Sequence, residues 1–311
     1  MIKKLFITSL LFTNLFAYMS STDIKPWGVS NKFMKIEILD QKILHYNRID
    51  GIKFNEISDL AYNLKSHKLY MVSDEGRIFE FQAKFNNKIS SLTPLKGVKI
   101  TKKNGKKFRN YRRDSEGATL DYRGRLIISF EGRPKIGRFN SDGRMVTKYR
   151  VPKDISKIRY LRGKNKGIEA LAYHYKYGFL MATEYPIKKN PKSIQTIYSS
   201  KGKKWHFKAS KYRHSAITAI EVMSDGNVLV LERAFNGLFN PFIVTLKKVY
   251  IKNCKNRFCK SEILATLDNS KGWDIDNFEG LCRVGKDRYI IISDDGDNFY
   301  QDTLLIYFMT K

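Results

Sequence analysis

The sequence predicts an all-β fold built from one repeated four-stranded sheet. Five similar segments recur along the 311 residues, each with an apolar strand, a tight turn, a second apolar strand and a final carboxylate. They recur about every 50 to 60 residues, which is typical of propellers rather than of shorter solenoid repeats. Helical periodicity is nearly absent. We therefore expect a β-propeller with five blades, or with six if a divergent repeat lies within residues 236–272.

Each repeat carries an acid or a small hydroxyl at its second position. The repeats span residues 57–74, 115–131, 168–184, 217–232 and 278–294. Their second positions are Ser58, Glu116, Glu169, Thr218 and Glu279, and their final acids are Asp74, Glu131, Glu184, Glu232 and Asp294. The final acid follows the second position at nearly the same spacing in every copy, so one unit of two strands is used five times.

Further strands complete each unit. Runs rich in β-branched and aromatic residues, separated by Gly, Asn and Asp turn signals, predict them. They cover 77–82 and 89–92, 136–139 and 146–151, 194–199 and 205–209, and 242–251 and 261–267. The fifth repeat is followed by one strand only, 303–308, so we expect residues 33–39 to complete the last blade and close the ring, which protects exposed sheet edges.

The segment 1–17 predicts a secretory signal peptide. Lys3 and Lys4 form a basic start, an apolar segment follows, and Ala17 offers a small residue for cleavage. The apolar segment is too short to span a bilayer comfortably, and no later stretch approaches the roughly 20 residues of a membrane helix. We expect residues 18–311 to form a single exported domain, periplasmic or extracellular, with an uncleaved anchor as the alternative.

The net charge is strongly positive. The chain has 58 Lys and Arg against 30 Asp and Glu, a formal charge of +28. Such a field favours anionic ligands. Because an exported protein meets little nucleic acid, we expect its ligands to be phosphorylated small molecules, anionic lipid head groups or acidic glycans. We expect the protein to be a monomer. The alternative is that lysine simply serves as the solvated surface residue.

Two of the three cysteines predict a disulfide. Cys254 and Cys259 are close enough in sequence to staple a hairpin tip in an oxidising compartment. Cys282 lies in an apolar strand and is expected to be a buried small hydrophobic residue.

The recurrent acids are expected to converge on one face. The first strand of an antiparallel blade leaves the face to which the second strand returns, so the second-position and final acids lie together near the central channel. Carboxylates so close repel unless a cation, a basic partner or a raised pKa compensates. Oxygen ligands suit calcium better than zinc. The predicted metal ligands are Asp74, Glu131, Glu169, Glu184, Glu232 and Asp294, and the alternative is that these acids bind backbone N–H groups or arginines of neighbouring blades.

Basic loops are predicted to enter the same face. Eight cationic residues lie between residues 99 and 113 alone. Arginine forks can grip phosphate oxygens while a divalent cation bridges them. The predicted substrate-binding residues are Arg113, Arg133, Lys166, Arg213 and Arg233.

Several of these motifs resemble a known family. They are Asp-Ser-Glu-Gly (114–117), Glu-Gly-Arg-Pro-Lys-Ile (131–136), Asn-Lys-Gly-Ile-Glu-Ala-Leu (165–171), Glu-Arg-Ala-Phe (232–235) and Asp-Asn-Phe-Glu-Gly-Leu (276–281). The sequence resembles the phytase-like family of exported bacterial propellers, also described as esterase-like activity of phytase. The resemblance implies a β-propeller and hydrolysis of a phosphoester or ester. Ser58 and Thr218 depart from the Glu of the other repeats, which leaves the number of metal ligands open.

A metal-assisted hydrolase is the leading functional hypothesis. The sequence has no G-x-S-x-G elbow of a serine esterase. Of its five histidines, His214 alone is placed to act on the acidic face, and Glu116 or Glu279 is expected to serve as general base. A lactonase or other metal-dependent esterase is one alternative, and a non-catalytic propeller that binds an anionic ligand or an envelope protein is the other.

Overall fold

The computed structural model describes residues 18–109, 112–235, 242–298 and 300–311. The predicted signal peptide, residues 1–17, lies outside the described residues. The described chain is all-β, as predicted, with a few short 3-10 turns. None of its helical segments is long and apolar enough to cross a membrane.

Strands occupy most of the described chain. In chain order they are β1 (Met19–Ser21), β2 (Lys32–Phe33), β3 (Ile36–Leu44), β4 (Arg48–Ile49), β5 (Ile52–Lys53), β6 (Ile57–Asn63), β7 (Lys68–Ser73), β8 (Arg77–Phe85), β9 (Ile89–Lys99), β10 (Ser115–Leu120), β11 (Leu126–Phe130), β12 (Lys135–Phe139), β13 (Met145–Tyr149), β14 (Ile168–His174), β15 (Gly178–Thr183), β16 (Ile194–Ser199), β17 (Lys204–Lys208), β18 (Ala216–Val222), β19 (Val228–Ala234), β20 (Ile243–Lys255), β21 (Phe258–Asp268), β22 (Asn277–Gly285), β23 (Arg288–Asp294) and β24 (Leu304–Thr310). The 3-10 turns are Lys153–Ile155, Ile158–Tyr160 and Asn269–Lys271.

The strands assemble into consecutive antiparallel sheets. Sheet 1 is β6 to β9 and sheet 2 is β10 to β13. β14 to β17 (sheet 3) and β18 to β21 (sheet 4) are joined into one eight-stranded sheet by a parallel pairing of β17 with β21 at His206 and Phe258. Sheet 5 contains β22, β23 and β24, and β3 pairs antiparallel with β24. Both strands predicted in the described part of residues 236–272 belong to sheet 4. The N-terminal strand predicted at 33–39 thus pairs as expected, although it runs from Ile36 to Leu44.

The first strands of the sheets contact one another in a closed sequence. β6 contacts β10, β10 contacts β14, β14 contacts β18, β18 contacts β22, and β22 contacts β6. Apolar side chains fill the spaces between successive sheets. Leu246 and Phe278, for example, belong to one core shared by sheets 4 and 5, and Cys282 is buried as predicted.

The long hairpin of sheet 4 ends in a disulfide. β20 and β21 extend beyond their predicted bounds, and Cys254 pairs with Cys259 across the hairpin. The two sulfurs are bonded, which confirms the predicted pairing.

Every first strand is irregular at the position that the repeat makes polar. The pairing register shifts across the second position in all five first strands. A β-bulge re-aims side chains and is common beside functional sites. The repeated motif therefore encodes a repeated bulge as well as a repeated residue.

The two departures from Glu have structural roles. Ser58 donates its hydroxyl hydrogen bond to the carbonyl of Ser115 at 2.9 Å. Thr218 donates to the carbonyl of Phe278 at 3.2 Å. In both cases the acceptor is the residue at the first position of the repeat in a neighbouring sheet. These two hydroxyls therefore link neighbouring sheets, and they do so from the position that is a Glu in the other three repeats.

A buried aspartate joins three sheets. Asp59 is 1% exposed, and its carboxylate accepts the backbone N–H of Ala118 at 2.7 Å and that of Leu281 at 3.0 Å. Burial raises its pKa well above the ordinary value, although these N–H donors oppose the shift. Asp59 thus links the first strand of sheet 1 to those of sheets 2 and 5. It has the structural role that the sequence analysis gave as the alternative for the recurrent acids, namely to bind backbone N–H groups of neighbouring blades.

Candidate functional site

Five carboxylates of sheets 2 and 3 meet at one place. One oxygen from each of Asp114, Glu116 and Glu131 lies within 4.8 Å of the other two, and the same holds for Glu131, Glu169 and Glu184. Glu131 belongs to both sets. We call these five residues the acid cluster.

The repeat geometry explains the convergence. Glu116 and Glu169 lie on the bulges of β10 and β14, while Glu131 and Glu184 directly follow the ends of β11 and β15. Backbone hydrogen bonds connect neighbouring sheets here. For example, the N–H of Ile217 in sheet 4 donates to the carbonyl of Glu184 in sheet 3 at 3.0 Å. The acids therefore lie at the junctions between sheets.

One glycine permits the approach of sheets 2 and 3. A Cβ atom at Gly167 would lie 2.2 Å from the backbone oxygen of Glu131, far inside van der Waals contact. Any other residue at position 167 would push Glu131 away from Glu169. This glycine precedes the third repeat directly and so helps to form the acid cluster.

Burial and mutual repulsion perturb these acids strongly. Burial, and then Glu169 and Glu131, raise the pKa of Glu116 well above its ordinary value. Burial, Asp114 and Glu184 raise the pKa of Glu131 to about 8. The pKa of Glu169 is also raised well above normal, first by burial and then by Glu184. A cation placed among these groups would reverse the shifts.

Among the described residues, one buried oxygen of the acid cluster has neither a hydrogen-bond partner nor an ion pair; the other without a hydrogen-bond partner, Oε2 of Glu184, is paired with Lys166. Glu169 is 8% exposed, and its Oε2 atom is buried without a hydrogen-bond partner among the described residues. A buried, unsatisfied carboxylate oxygen is unfavourable, and a ligand of the opposite charge would satisfy it.

A second group of acids adjoins the acid cluster. Burial, Glu56 and Glu279 raise the pKa of Asp74 to about 7, and burial and Glu279 raise that of Asp294 to about 8. Asn277 donates its side-chain N–H to Glu279 at 2.9 Å and to Asp294 at 3.2 Å. Glu279 also raises the pKa of members of the acid cluster, so the two groups form one electrostatic site.

Two cations lie within this site. Arg233 donates from its guanidinium to Glu279 at 2.7 Å. Lys166 pairs with Glu184; burial lowers the pKa of Lys166, but Glu184 outweighs burial and the pKa lies above its ordinary value. Both residues were predicted to bind substrate. Lys166 lies against Glu184, a predicted metal ligand, and Arg233 lies against Glu279, a predicted general base.

Arg233 occupies the register position of a final acid. Ile217 pairs with Glu232, whereas the corresponding residue of the third repeat, Ile168, pairs with Thr183. Glu232 thus aligns one residue before the other final acids, and Arg233 aligns with Glu184. This shift was visible in the sequence, because the spacing between the second position and the final acid is shorter in the fourth repeat than in the other four.

Glu232 is placed apart from the acids described above. Its carboxylate accepts from Lys247 Nζ at 2.5 Å and from the backbone N–H of Ser210 at 3.2 Å. The side chains of Glu232 and Lys247 are 0% and 3% exposed. Of the predicted metal ligands, Glu131, Glu169 and Glu184 meet in the acid cluster. Asp74 and Asp294 lie in the adjoining group, whereas Glu232 forms a buried ion pair with Lys247.

We predict that Glu232→Gln destabilises the fold without changing cation affinity. The substitution leaves the Lys247 ammonium buried and uncompensated, which typically costs about 3–5 kcal/mol. Urea unfolding measures the loss, and calorimetric calcium titration at a temperature where the variant is folded measures the affinity. The Glu232→Leu/Lys247→Met double variant should recover most of the stability. A clear loss of calcium affinity in the folded single variant would contradict this assignment.

The remaining predicted residues lie around the site. Arg113 pairs with Glu75 at 2.8 Å, and Arg133 is exposed. Arg213 donates to the ring of His214 at 3.1 Å, and both line a cleft between sheets 3 and 4. His214 therefore lies with cations, and its predicted catalytic role stays a prediction.

The sequence analysis missed two residues of this region. Asp114 was recognised only as part of a motif, although its position directly before the second repeat, next to Glu116, was a usable signal. Lys135 lies with its ammonium 3.6 Å from the ring centre of Phe130, and burial lowers its pKa to about 7. No sequence pattern distinguishes this buried lysine from the many exposed ones.

Solved structures similar to this chain share little sequence with it. The aldose sugar dehydrogenase of Streptomyces coelicolor is 11% identical, with 95% of this chain and 99% of that chain covered and a TM-score of 0.41. Virginiamycin B lyase of Staphylococcus aureus is 9% identical, with 94% and 100% covered and a TM-score of 0.39. The Cps50 (Swd1) β-propeller domain of Myceliophteria thermophila is 10% identical, with 89% and 92% covered and a TM-score of 0.40.

The comparison of sequences identifies the family. None of the curated proteins matches this chain. A family model described as "Phytase-like: Esterase-like activity of phytase" matches residues 52–299. This match covers most of the chain, including all five repeats, and the protein therefore belongs to the phytase-like family.

Proposed function

We propose that the protein is an exported hydrolase that cleaves a phosphoester or ester of an anionic substrate at the acid cluster, assisted by a divalent cation, calcium. The observation that carries the proposal is the unpartnered, buried Oε2 of Glu169 amid five converging carboxylates. Membership of the phytase-like family supports ester hydrolysis as the reaction. The signal-like segment 1–17 and the Cys254–Cys259 disulfide support export.

The scaffold proposed for this function is a five-bladed propeller. Sheets 1 to 5 would be its blades, and β3 would close the ring by completing sheet 5. The closed sequence of contacts between first strands supports this arrangement, as does the pairing of β3 with β24. The acids would then surround the mouth of the central channel.

The donor set fits a hard cation. The acid cluster offers carboxylate oxygens and neither sulfur nor imidazole nitrogen. Calcium takes six to eight oxygen ligands in flexible geometry, whereas zinc prefers nitrogen and sulfur. Glu131, Glu169 and Glu184 would hold the cation on one side, with Asp114 and Glu116 beside Glu131. When bound, the cation supplies Lewis-acid polarisation of the substrate and lowers the pKa of a coordinated water.

The chain's own residues provide the remaining functions. Glu116 or Glu279 would accept the proton of the attacking water. Arg233 is 2.7 Å from Glu279, so it can neutralise charge that develops beside that carboxylate. Lys166, next to Glu184, would do the same beside that carboxylate.

Hydrolysis measured with and without calcium tests the proposal. The chain from Tyr18 to Lys311 is assayed on phytate, aryl phosphates and carboxylic esters, after chelation and gel filtration and again after calcium is restored. We expect turnover of at least one class that disappears on chelation and returns with calcium. Turnover that survives chelation would contradict the cation's role. Ligand binding without any turnover would instead support a non-catalytic binding protein.

A further inference from the structure

A basic cleft adjoins the acid cluster. It has a volume of about 840 Å³ and is lined by residues that precede β14, by residues that follow β15, and by residues 208–215, from the end of β17 to the start of β18. Cavities of this size commonly hold small molecules. No Asp or Glu is among the described residues that line it, whereas several cationic side chains are.

Three lysines of the basic cleft are uncompensated. Lys192, Lys208 and Lys211 line it and are exposed. Within the described ranges, none of the three forms an ion pair with a carboxylate. Lysines on a convex surface are ordinarily solvated, but here three of them converge on one concave space. Their summed field would concentrate anions in the basic cleft.

The corresponding cleft between sheets 1 and 2 is different. It has a volume of about 200 Å³ and contains Arg77, Arg113 and Glu75. Glu75 forms ion pairs with both arginines. Lys99 and Lys107 also line this smaller cleft without an ion pair among the described residues, but Glu75 lies beside them. The basic cleft differs in its larger volume and in having no Asp or Glu among its described lining residues.

One side chain belongs to both the basic cleft and the acid cluster. Lys166 lines the basic cleft and pairs with Glu184. Its ammonium also lies 5.6 Å from the ring centre of Tyr185, another lining residue. A molecule in the basic cleft therefore contacts a residue that touches the proposed reacting site.

We propose that the basic cleft binds the non-reacting anionic groups of a small polyanionic substrate whose ester reacts at the acid cluster. That the ester reacts at the acid cluster rests on the proposed function, whereas the binding of anionic groups rests on the basic cleft alone. Ammonium groups form charge-assisted hydrogen bonds with phosphate, sulfate and carboxylate oxygens. Three uncompensated lysines around one cavity match more than one anionic group.

Equilibrium binding of pyrophosphate tests the assignment of the basic cleft. The chain from Tyr18 to Lys311 is freed of divalent cations by chelation and gel filtration, and is titrated with pyrophosphate by calorimetry at low salt. We expect binding that weakens as salt increases. The triple variant Lys192→Gln/Lys208→Gln/Lys211→Gln should bind at least about tenfold more weakly, since hydrogen bonds to charged groups are individually strong. Its matched control, Lys65→Gln/Lys201→Gln/Lys203→Gln, removes the same charge from exposed turns outside the basic cleft and should bind like the wild type.

The outcomes separate this inference from the proposed function. Absence of pyrophosphate binding, equal affinity of the triple variant and the wild type, or an equal loss in the matched control would overturn the inference. If pyrophosphate binding depends on the cleft lysines but calcium restores no turnover, the proposed function fails while the binding role of the basic cleft is supported. If turnover persists unchanged in the triple variant, with the same KM for a polyphosphorylated substrate, the link between the basic cleft and the substrate is refuted.

Discussion

Glu169→Gln is expected to weaken calcium binding by at least about tenfold and to slow calcium-dependent hydrolysis about 100-fold. The residue can offer a bound cation a carboxylate charge, and its Oε2 atom is buried with neither a hydrogen-bond partner nor an ion pair among the described residues. Glutamine keeps the shape but removes the charge, and changes at or next to metal ligands commonly alter metal affinity 10- to 100-fold. Calorimetric calcium titration and initial rates under saturating calcium measure the two effects.

The control for this experiment is another glutamate on a first strand, which is half-buried. Glu221 lies on β18, where its carboxylate accepts the backbone N–H groups of Val222 and Arg283. Burial raises the pKa of Glu221, so Glu221→Gln tests the general effect of neutralising a half-buried acid outside the acid cluster. We expect this variant to keep wild-type calcium affinity and turnover. Equal losses in the two variants would refute a specific role for Glu169.

Calcium is expected to stabilise the protein more at pH 7 than at pH 5. Saturating calcium at 100 times its Kd corresponds to about 2.7 kcal/mol of stabilisation, or on the order of 5 °C in Tm for a domain of this size. Near pH 5 the stabilisation should be much smaller, because protons occupy the carboxylates. Thermal unfolding with calcium and with a chelator, at the two pH values, measures the difference.

The sign follows from the raised pKa values. Burial and neighbouring acids raise the pKa of Asp74 from 3.8 to about 7, and that of Asp294 from 3.8 to about 8. The pKa of Glu131 rises from 4.5 to about 8, again chiefly by burial. Between the unfolded and folded values the native state binds more protons than the unfolded state, so the metal-free protein loses stability as pH rises through this window. Calcium removes that loss by compensating the carboxylates.

Two histidines change the pH dependence of stability in the opposite direction, so the Tm of either form alone does not report on the acids. Burial lowers the pKa of His174 and of His206 below 6.5, so their contribution to stability increases as pH rises from 5 to 7. They affect the calcium-loaded and calcium-free proteins alike. The informative quantity is therefore the difference in Tm between the two forms, and a difference that is constant or shrinks from pH 5 to pH 7 would contradict a cation site among these acids.

The repeat made most of the fold predictable from sequence. Alternating apolar strands and turn signals predicted the two strands of each repeat, and the missing strand of the last unit predicted the pairing of an N-terminal segment with β24. Strand bounds were less accurate, as for β20 and β21, because the hairpin continues with polar residues to its disulfide. Periodicity reports which face of a strand is buried, and an exposed hairpin tip has no buried face.

The candidate site was predictable in position but only partly in composition. Glu116, Glu169 and Glu131 lie together because each occupies the position that the repeat pattern gives it. Glu232 was misaligned because one residue fewer separates it from its second position, and in a strand a shift of one residue turns a side chain to the opposite face. The partnership of Glu232 with Lys247 depends on a neighbouring strand farther along the sequence, and no local pattern encodes it.

The pairing of β3 with β24 brings together segments from opposite ends of the sequence. Ile36 pairs with Thr310, so sheet 5 lacks a strand until nearly the whole polypeptide has been synthesised. Contacts between residues so distant in sequence form slowly. A nascent chain of this protein should consequently remain incompletely folded throughout translation.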